Sequence, residues 1–185
     1  MESGSQCVAK AKEGAPRQPG EIPAAMIHLL CGPTASGKTR LAKKIESERG
    51  AIRFSIDERM APPHFPGQRD DRLIGQLIED THPVFLEILK ESHQQLASGK
   101  EVVLDVGTFN RSTRDLIRSW ATGIGQPLIL YYLSVSREIR LERLRQRNEC
   151  RGSDYSFEVP QWVFDLIDQV FEAPTADEKP IIIPG

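Results

Sequence analysis

Five short apolar runs alternate with helical patterns along the chain, and this order predicts an α/β fold: a five-stranded parallel sheet with helices on both faces. A second observation fixes where such a sheet would work. Residues Gly32-Pro33-Thr34-Ala35-Ser36-Gly37-Lys38-Thr39 fill every position of the pattern G-x-x-x-x-G-K-[ST]. They lie between an apolar run at 26–31, which reads as a buried strand, and a segment in which Leu41, Ala42 and Ile45 have helical spacing. The chain therefore enters the loop as a strand and leaves as a helix. Gly32 and Gly37 permit a close backbone approach, so successive N–H groups can point inward at phosphate oxygens, and the helix N-terminus adds partial positive charge.

The remaining elements follow in order. Residues 51–56 form a second strand ending at Asp57-Glu58, and a Pro-rich stretch at 61–67 reads as an irregular surface segment. Residues 70–97 have helical apolar spacing with an interruption expected near Thr81-His82-Pro83. A third strand at 101–105 ends on Asp105, and Ser112-Thr113-Arg114-Asp115 offers an S-x-x-D cap for the next helix. Residues 128–133 are a buried strand of parallel type, an arginine-rich helix covers 136–147, Pro160 starts another helix, and Ile181-Ile182-Ile183 is the fifth strand.

The chain's 185 residues suit one domain able to bury a core without disulfides or structural metal. Residues 1–24, rich in Gly, Pro, Ser, Ala and charge, have too little apolar surface to offset the entropy of ordering and are expected to be a disordered leader. The domain then spans 25–185, with a helical insert at about 58–97 and a lid-like segment at about 140–158. A net charge of −2 gives no bulk attraction to nucleic acid or to an anionic membrane. Three widely spaced cysteines, Cys7, Cys31 and Cys150, indicate neither a disulfide framework nor zinc. A reducing cytoplasm and no membrane association are expected.

The loop assigns Lys38 to the β- and γ-phosphates and the Thr39 hydroxyl to Mg²⁺. Asp105, at the end of an apolar strand, is the matching metal carboxylate. Asp57 closes the second strand on the same side of the sheet, which makes it the leading general-base candidate, against the plainer role of a turn or helix-cap residue. Arginines recur at helical spacing as Arg111, Arg114 and Arg118, then as Arg140, Arg143 and Arg147. Those nearest the strand ends or the following loop, Arg114, Arg147 and Arg151, suit the charge of a transferring phosphoryl group, while Arg118 and Arg145 read as solvated surface.

The phosphate loop, Ser55-Ile56-Asp57, Leu104-Asp105, Arg114-Asp115 and the R-x-x-x-R-N element at Arg143–Asn148 occur together in this order. Over about residues 26–183 the chain resembles bacterial AAA-type ATP-binding proteins that are small P-loop kinases, relatives of the polynucleotide kinase, zeta toxin and chloramphenicol phosphotransferase groups. The stretch from Phe171 to Glu178 is similar to one uncharacterised branch. The resemblance implies a P-loop NTPase fold, with ATP and Mg²⁺ bound at 32–39, a base at Asp57, a strand-end acid at Asp105, and arginines at Arg114 and between Arg143 and Arg151. Where relatives often carry Thr or Asn soon after the strand-three Asp, this chain has Val106-Gly107-Thr108-Phe109-Asn110. The function expected is transfer of the ATP γ-phosphate to a hydroxyl of a small molecule or nucleic-acid end. The alternatives are a zeta-toxin-like nucleotide-sugar kinase and a non-catalytic nucleotide-dependent binding module.

Overall fold

Backbone pairing in the computed structural model, which describes residues 25–60, 65, 70, 72–150 and 157–185, gives a five-stranded sheet in the order β2-β3-β1-β4-β5. The strands are β1 (Ile27–Cys31), β2 (Ile52–Ser55), β3 (Val102–Asp105), β4 (Leu128–Ser134) and β5 (Ile181–Pro184), and every pairing is parallel. The expected leader, most of the Pro-rich stretch and Arg151 lie outside the described residues. After β1 the chain builds β2 and β3 on one side, then crosses to build β4 and β5 on the other, so the topology reverses at β1. That is where an open α/β sheet forms its ligand crevice.

Strand alternation sends side chains to two helical layers. On one face Ile27, Leu29 and Cys31 of β1, with Phe54, Val102, Leu104 and Leu130, pack against α3 (Leu73–Ala97) and α4 (Arg111–Gly123) through Ile88, Leu89, Leu96, Ile117 and Ala121. On the other, Leu30 and Val103 meet Ala42 and Ile45 of α1 (Lys38–Arg49). A third apolar cluster lies apart from the sheet. It joins Leu73 and Leu77 of α3 to Leu144 of α5 (Arg137–Cys150), to Val163 and Phe164 of α6 (Gln161–Val170), and to Phe65, Phe157 and the loop residue Ala35.

Three local expectations change. Helix α3 runs unbroken through Pro83, because apolar residues on both sides of the proline are packed, Leu73 in the third cluster and Phe85, Ile88 and Leu89 in the main core. Burial there outweighs the roughly 3 kcal/mol that an interior proline costs a helix. The N-cap of α4 is Asn110, whose Oδ1 accepts from the Thr113 amide at 2.9 Å, and the Ser112 hydroxyl donates to that same oxygen. Asn serves the extended cap position as well as Ser, and here it comes first in the chain. Finally, β2 stops at Ser55, and Ile56 opens the short helix α2 (Ile56–Arg59) that carries Asp57.

Candidate active site

The loop leaving β1 turns tightly, with the Ser36 amide donating to Pro33 O at 3.2 Å and Ala35 and Gly37 both at positive φ, 60° and 101°. Glycine is needed at 37 for that angle, and at 32 for space. A Cβ on Gly32 would lie 2.6 Å from Ser36 Oγ and 3.1 Å from the Leu133 carbonyl. No side chain caps the N-terminus of α1, so its first amides remain available to an anion. The Ser36 hydroxyl is buried and has no hydrogen-bond partner among the described residues.

Lys38 curls back over this loop, and its Nζ donates to the carbonyls of Gly32 (2.8 Å) and Pro33 (3.1 Å). Burial lowers its pKa; the negative charges of Asp105 and Asp57 oppose that shift. Thr39 Oγ1 donates to Asp105 Oδ2 at 2.9 Å, which joins the first turn of α1 to the end of the neighbouring strand β3.

Asp57 stands in the first turn of α2 but is not its cap, since Ser55 holds that position. Its side chain is exposed to solvent, and among the described residues it makes no hydrogen bond. Desolvation by the surrounding protein raises its pKa, helped by the like charge of Asp105, while Lys38 and Arg147 pull it back. Asp57 thus lies within electrostatic reach of Asp105, Lys38 and Arg147, which come from three other elements.

Helix α5 lies over the loop. Arg143 Nη1 donates to Ser36 O at 3.3 Å and Arg140 Nη1 to Thr34 O at 3.4 Å. Arg140 is buried, forks onto Asp168 of α6 at 2.7 and 3.0 Å, and stacks over the Phe164 ring at 5.1 Å. Sequence reasoning grouped Arg140 with Arg143 and Arg147 but gave it no role. The spacing of Asp165 and Asp168 on an otherwise apolar helix was the available signal.

Arg114 departs from expectation. Its side chain is buried and its donors are taken by the protein: Nε and Nη2 donate to Glu178 at 2.7 and 2.9 Å, and Nη1 to the carbonyl of Glu172 at 2.8 Å, with Cys31 Sγ 3.9 Å away. The reason lies in helix phase, because Arg114 shares the inward face of α4 with Ile117 and Ala121. It is a structural anchor with its donors engaged, not a phosphoryl-facing arginine. Arg118 also departs from its surface reading, since it donates to Glu178 Oε2 at 2.6 Å; Arg145 is exposed, as expected.

Nucleotide kinases and their relatives place a phosphate loop at such a switch point with acids at the ends of adjoining strands. The present chain is a P-loop kinase, an ATP-using phosphotransferase with an alcohol group as acceptor. It belongs to the AAA domain family, whose profile matches residues 27–174. Over 176 residues it is 31% identical to a protein of Schizosaccharomyces pombe (strain 972 / ATCC 24843) named a probable gluconokinase, covering 90% of this chain and 83% of that one. Solved structures with the same fold include a sugar kinase from Janibacter sp. HTCC2649, with TM-score 0.61, 19% identity and coverage of 88% of this chain and 86% of that one. A gluconokinase from Sinorhizobium meliloti 1021 has TM-score 0.57, 20% identity and coverage of 88% and 83%. The rival reading, a non-catalytic nucleotide-dependent module, gives way to the enzyme. Among the described residues no helix is long and apolar enough to cross a membrane.

Proposed function

We propose that this chain is an ATP- and Mg²⁺-dependent kinase that moves the γ-phosphoryl group to a hydroxyl of a small polyhydroxylated acid, with Asp57 as general base. The observation that carries the reading is the state of Asp57: solvent-accessible, without a hydrogen bond among the described residues, and within the electrostatic reach of Lys38. A carboxylate committed to a cap or ion pair could not accept a substrate proton without breaking that bond.

The residues divide the work. Amides of 32–39 and Lys38 Nζ hold the phosphates, the buried Ser36 hydroxyl and the space kept by Gly32 suiting an anion cradle. Arg143 and Arg147 offer planar donors to the charge that spreads over the transferring group, and Arg151, outside the described residues, is assigned the same role from its sequence position alone. Thr39 and Asp105 present two hard oxygen donors already 2.9 Å apart, a set that fits Mg²⁺. Magnesium bound there would neutralise charge on the β- and γ-phosphates. Asp57 takes the acceptor's hydroxyl proton as its oxygen bonds to phosphorus and the bond to the ADP oxygen breaks. Free thiols at Cys31 and Cys150 fit a reducing cytoplasm.

Gluconate is the first acceptor to test, on the names of the relatives above. Coupled measurement of ADP release with MgATP should show turnover with gluconate or a related sugar acid. Nucleotide-sugars and 5′-hydroxyl oligonucleotides, the acceptors suggested by likeness to zeta toxins and polynucleotide kinases, are the competing arms. Turnover on either of those and on no sugar acid would sink the proposed acceptor class.

A further inference from the structure

Helix α2 is too short to hold itself. Its four residues close a single turn through the Met60 amide bonded to Ile56 O at 3.1 Å, and no side chain caps its N-terminus. An isolated turn of this kind is unstable in water, because nucleation fixes several dihedrals for one hydrogen bond. The position of any side chain on α2 therefore depends on ties to the rest of the molecule.

Those ties reach every residue of the helix except Asp57. Ile56 is buried in the main core. Glu58 accepts from Arg53 Nη2 with both oxygens, at 2.8 and 2.9 Å, and Arg53 Nε also reaches Glu46 of α1 at 3.3 Å. Arg59 forks onto Glu91 of α3 at 2.7 and 2.8 Å, with its guanidinium 5.2 Å above the Phe54 ring. The two charged neighbours of Asp57 are thus pulled to opposite partners, one toward α1 and β2, the other toward α3. Among the described residues, Asp57 itself has no hydrogen bond that would compete with an acceptor hydroxyl.

We infer that Arg53 and the Arg59–Glu91 pair are positioning residues that hold α2 so that the Asp57 carboxylate meets the acceptor hydroxyl. The inference rests on the reading of Asp57 as the base. Both ion pairs are substantially solvent-exposed on their acidic side, and exposed pairs add little to global stability. Their contribution should instead appear in the chemical step, where displacement by about 1 Å costs on the order of 100-fold.

The test compares full-length parent with Arg59→Gln, Glu91→Gln, Arg53→Met, the charge-exchanged double variant Arg59→Glu/Glu91→Arg, and Asp57→Asn. Four quantities are measured: turnover of gluconate (or the acceptor returned by the screen above) with MgATP, ATP affinity by calorimetry, melting temperature, and exchange of the Met60 amide by NMR. Each single ion-pair variant should lose about 10- to 100-fold in kcat and exchange Met60 faster, with ATP affinity and melting temperature close to parental. The exchanged pair should recover most of the kcat lost. Parental kcat and Met60 exchange in the single variants overturn the inference. So does a kcat loss matched by lost ATP affinity or melting temperature, and so does failure of the exchanged pair to recover activity. Parental turnover by Asp57→Asn marks failure of the base assignment itself; an inactive Asp57→Asn beside fully active ion-pair variants marks failure of the positioning role alone.

Discussion

Thr39 and Asp105, 66 positions apart in the chain, are joined by one hydrogen bond, Oγ1 to Oδ2 at 2.9 Å. It links the helix that follows the phosphate loop to the strand beside it, so the protein's own hydrogen bonding holds the two proposed metal donors side by side. Preorganisation of this kind means that metal and phosphate binding need little rearrangement of the protein.

Asp105→Asn should therefore weaken Mg²⁺-dependent ATP binding together with turnover, because a metal ligand acts before the chemical step. Asp57→Asn should leave ATP affinity nearly unchanged while turnover falls by about 10²–10⁴-fold. Calorimetry and single-turnover transfer at one Mg²⁺ concentration separate the two effects, and a parallel loss of binding in both variants would contradict the division of roles.

The pH dependence has a definite sign. Desolvation and Asp105 raise the Asp57 pKa, and a base works only when deprotonated. The acid limb of kcat should consequently rise with pH, with its midpoint above the ordinary aspartate value of about 3.9, and vanish in Asp57→Asn. A midpoint at or below that value in a full pH profile would refute the assignment.

Lys38→Ala should weaken ATP binding by at least about tenfold, roughly 1.4 kcal/mol. The fold should persist, because among the described residues Nζ hydrogen-bonds only to the loop carbonyls of Gly32 and Pro33. Equal ATP affinity in mutant and parent would remove Lys38 from the site.

Gly32→Ala tests the loop's shape without touching charge. The added methyl would press on Ser36 Oγ and on the Leu133 carbonyl; the hydroxyl can rotate away, but the backbone cannot. ATP affinity should drop at least about tenfold, with circular dichroism unchanged, and unaltered affinity would show that the loop is looser than described.

Glu178→Gln should lower stability by about 3 kcal/mol, since it leaves Arg114 buried without its counter-charge. Hydrogen bonds from Arg114 depress the Glu178 pKa from 4.5 to about 2. A depressed carboxylate stabilises the fold above its unfolded pKa, so this contribution should be complete above pH 4.5 and fade as the pH falls toward 2. Denaturant melts of parent and variant should accordingly converge in acid; a constant difference across that range would contradict the ion pair's role.

Much of this was legible in the chain because it rests on local pattern. Apolar runs marked all five strands, and the loop needed only its own eight residues and their flanks. Asp57 and Asp105 were legible as the first acids after apolar strands. What escaped was set by tertiary phase. The arginines at 111, 114 and 118 share a spacing, yet Arg114 turns inward beside Ile117 and Ala121 while Arg111 faces solvent. The continuity of α3 through Pro83 depended on packing at both ends, which a local rule about proline does not see. Arg140 became a clamp only once α6 brought Asp168 beside it.

The family profile ends at residue 174, four positions short of the carboxylate that neutralises Arg114. Homology and mechanical integrity thus draw different borders on this molecule. A fragment trimmed to the matched region would keep the whole phosphate loop, Asp57 and Asp105, yet it would lose β5 and strand a guanidinium in the interior. Excision and fusion experiments should accordingly treat Glu178 and the final strand as part of the unit that folds.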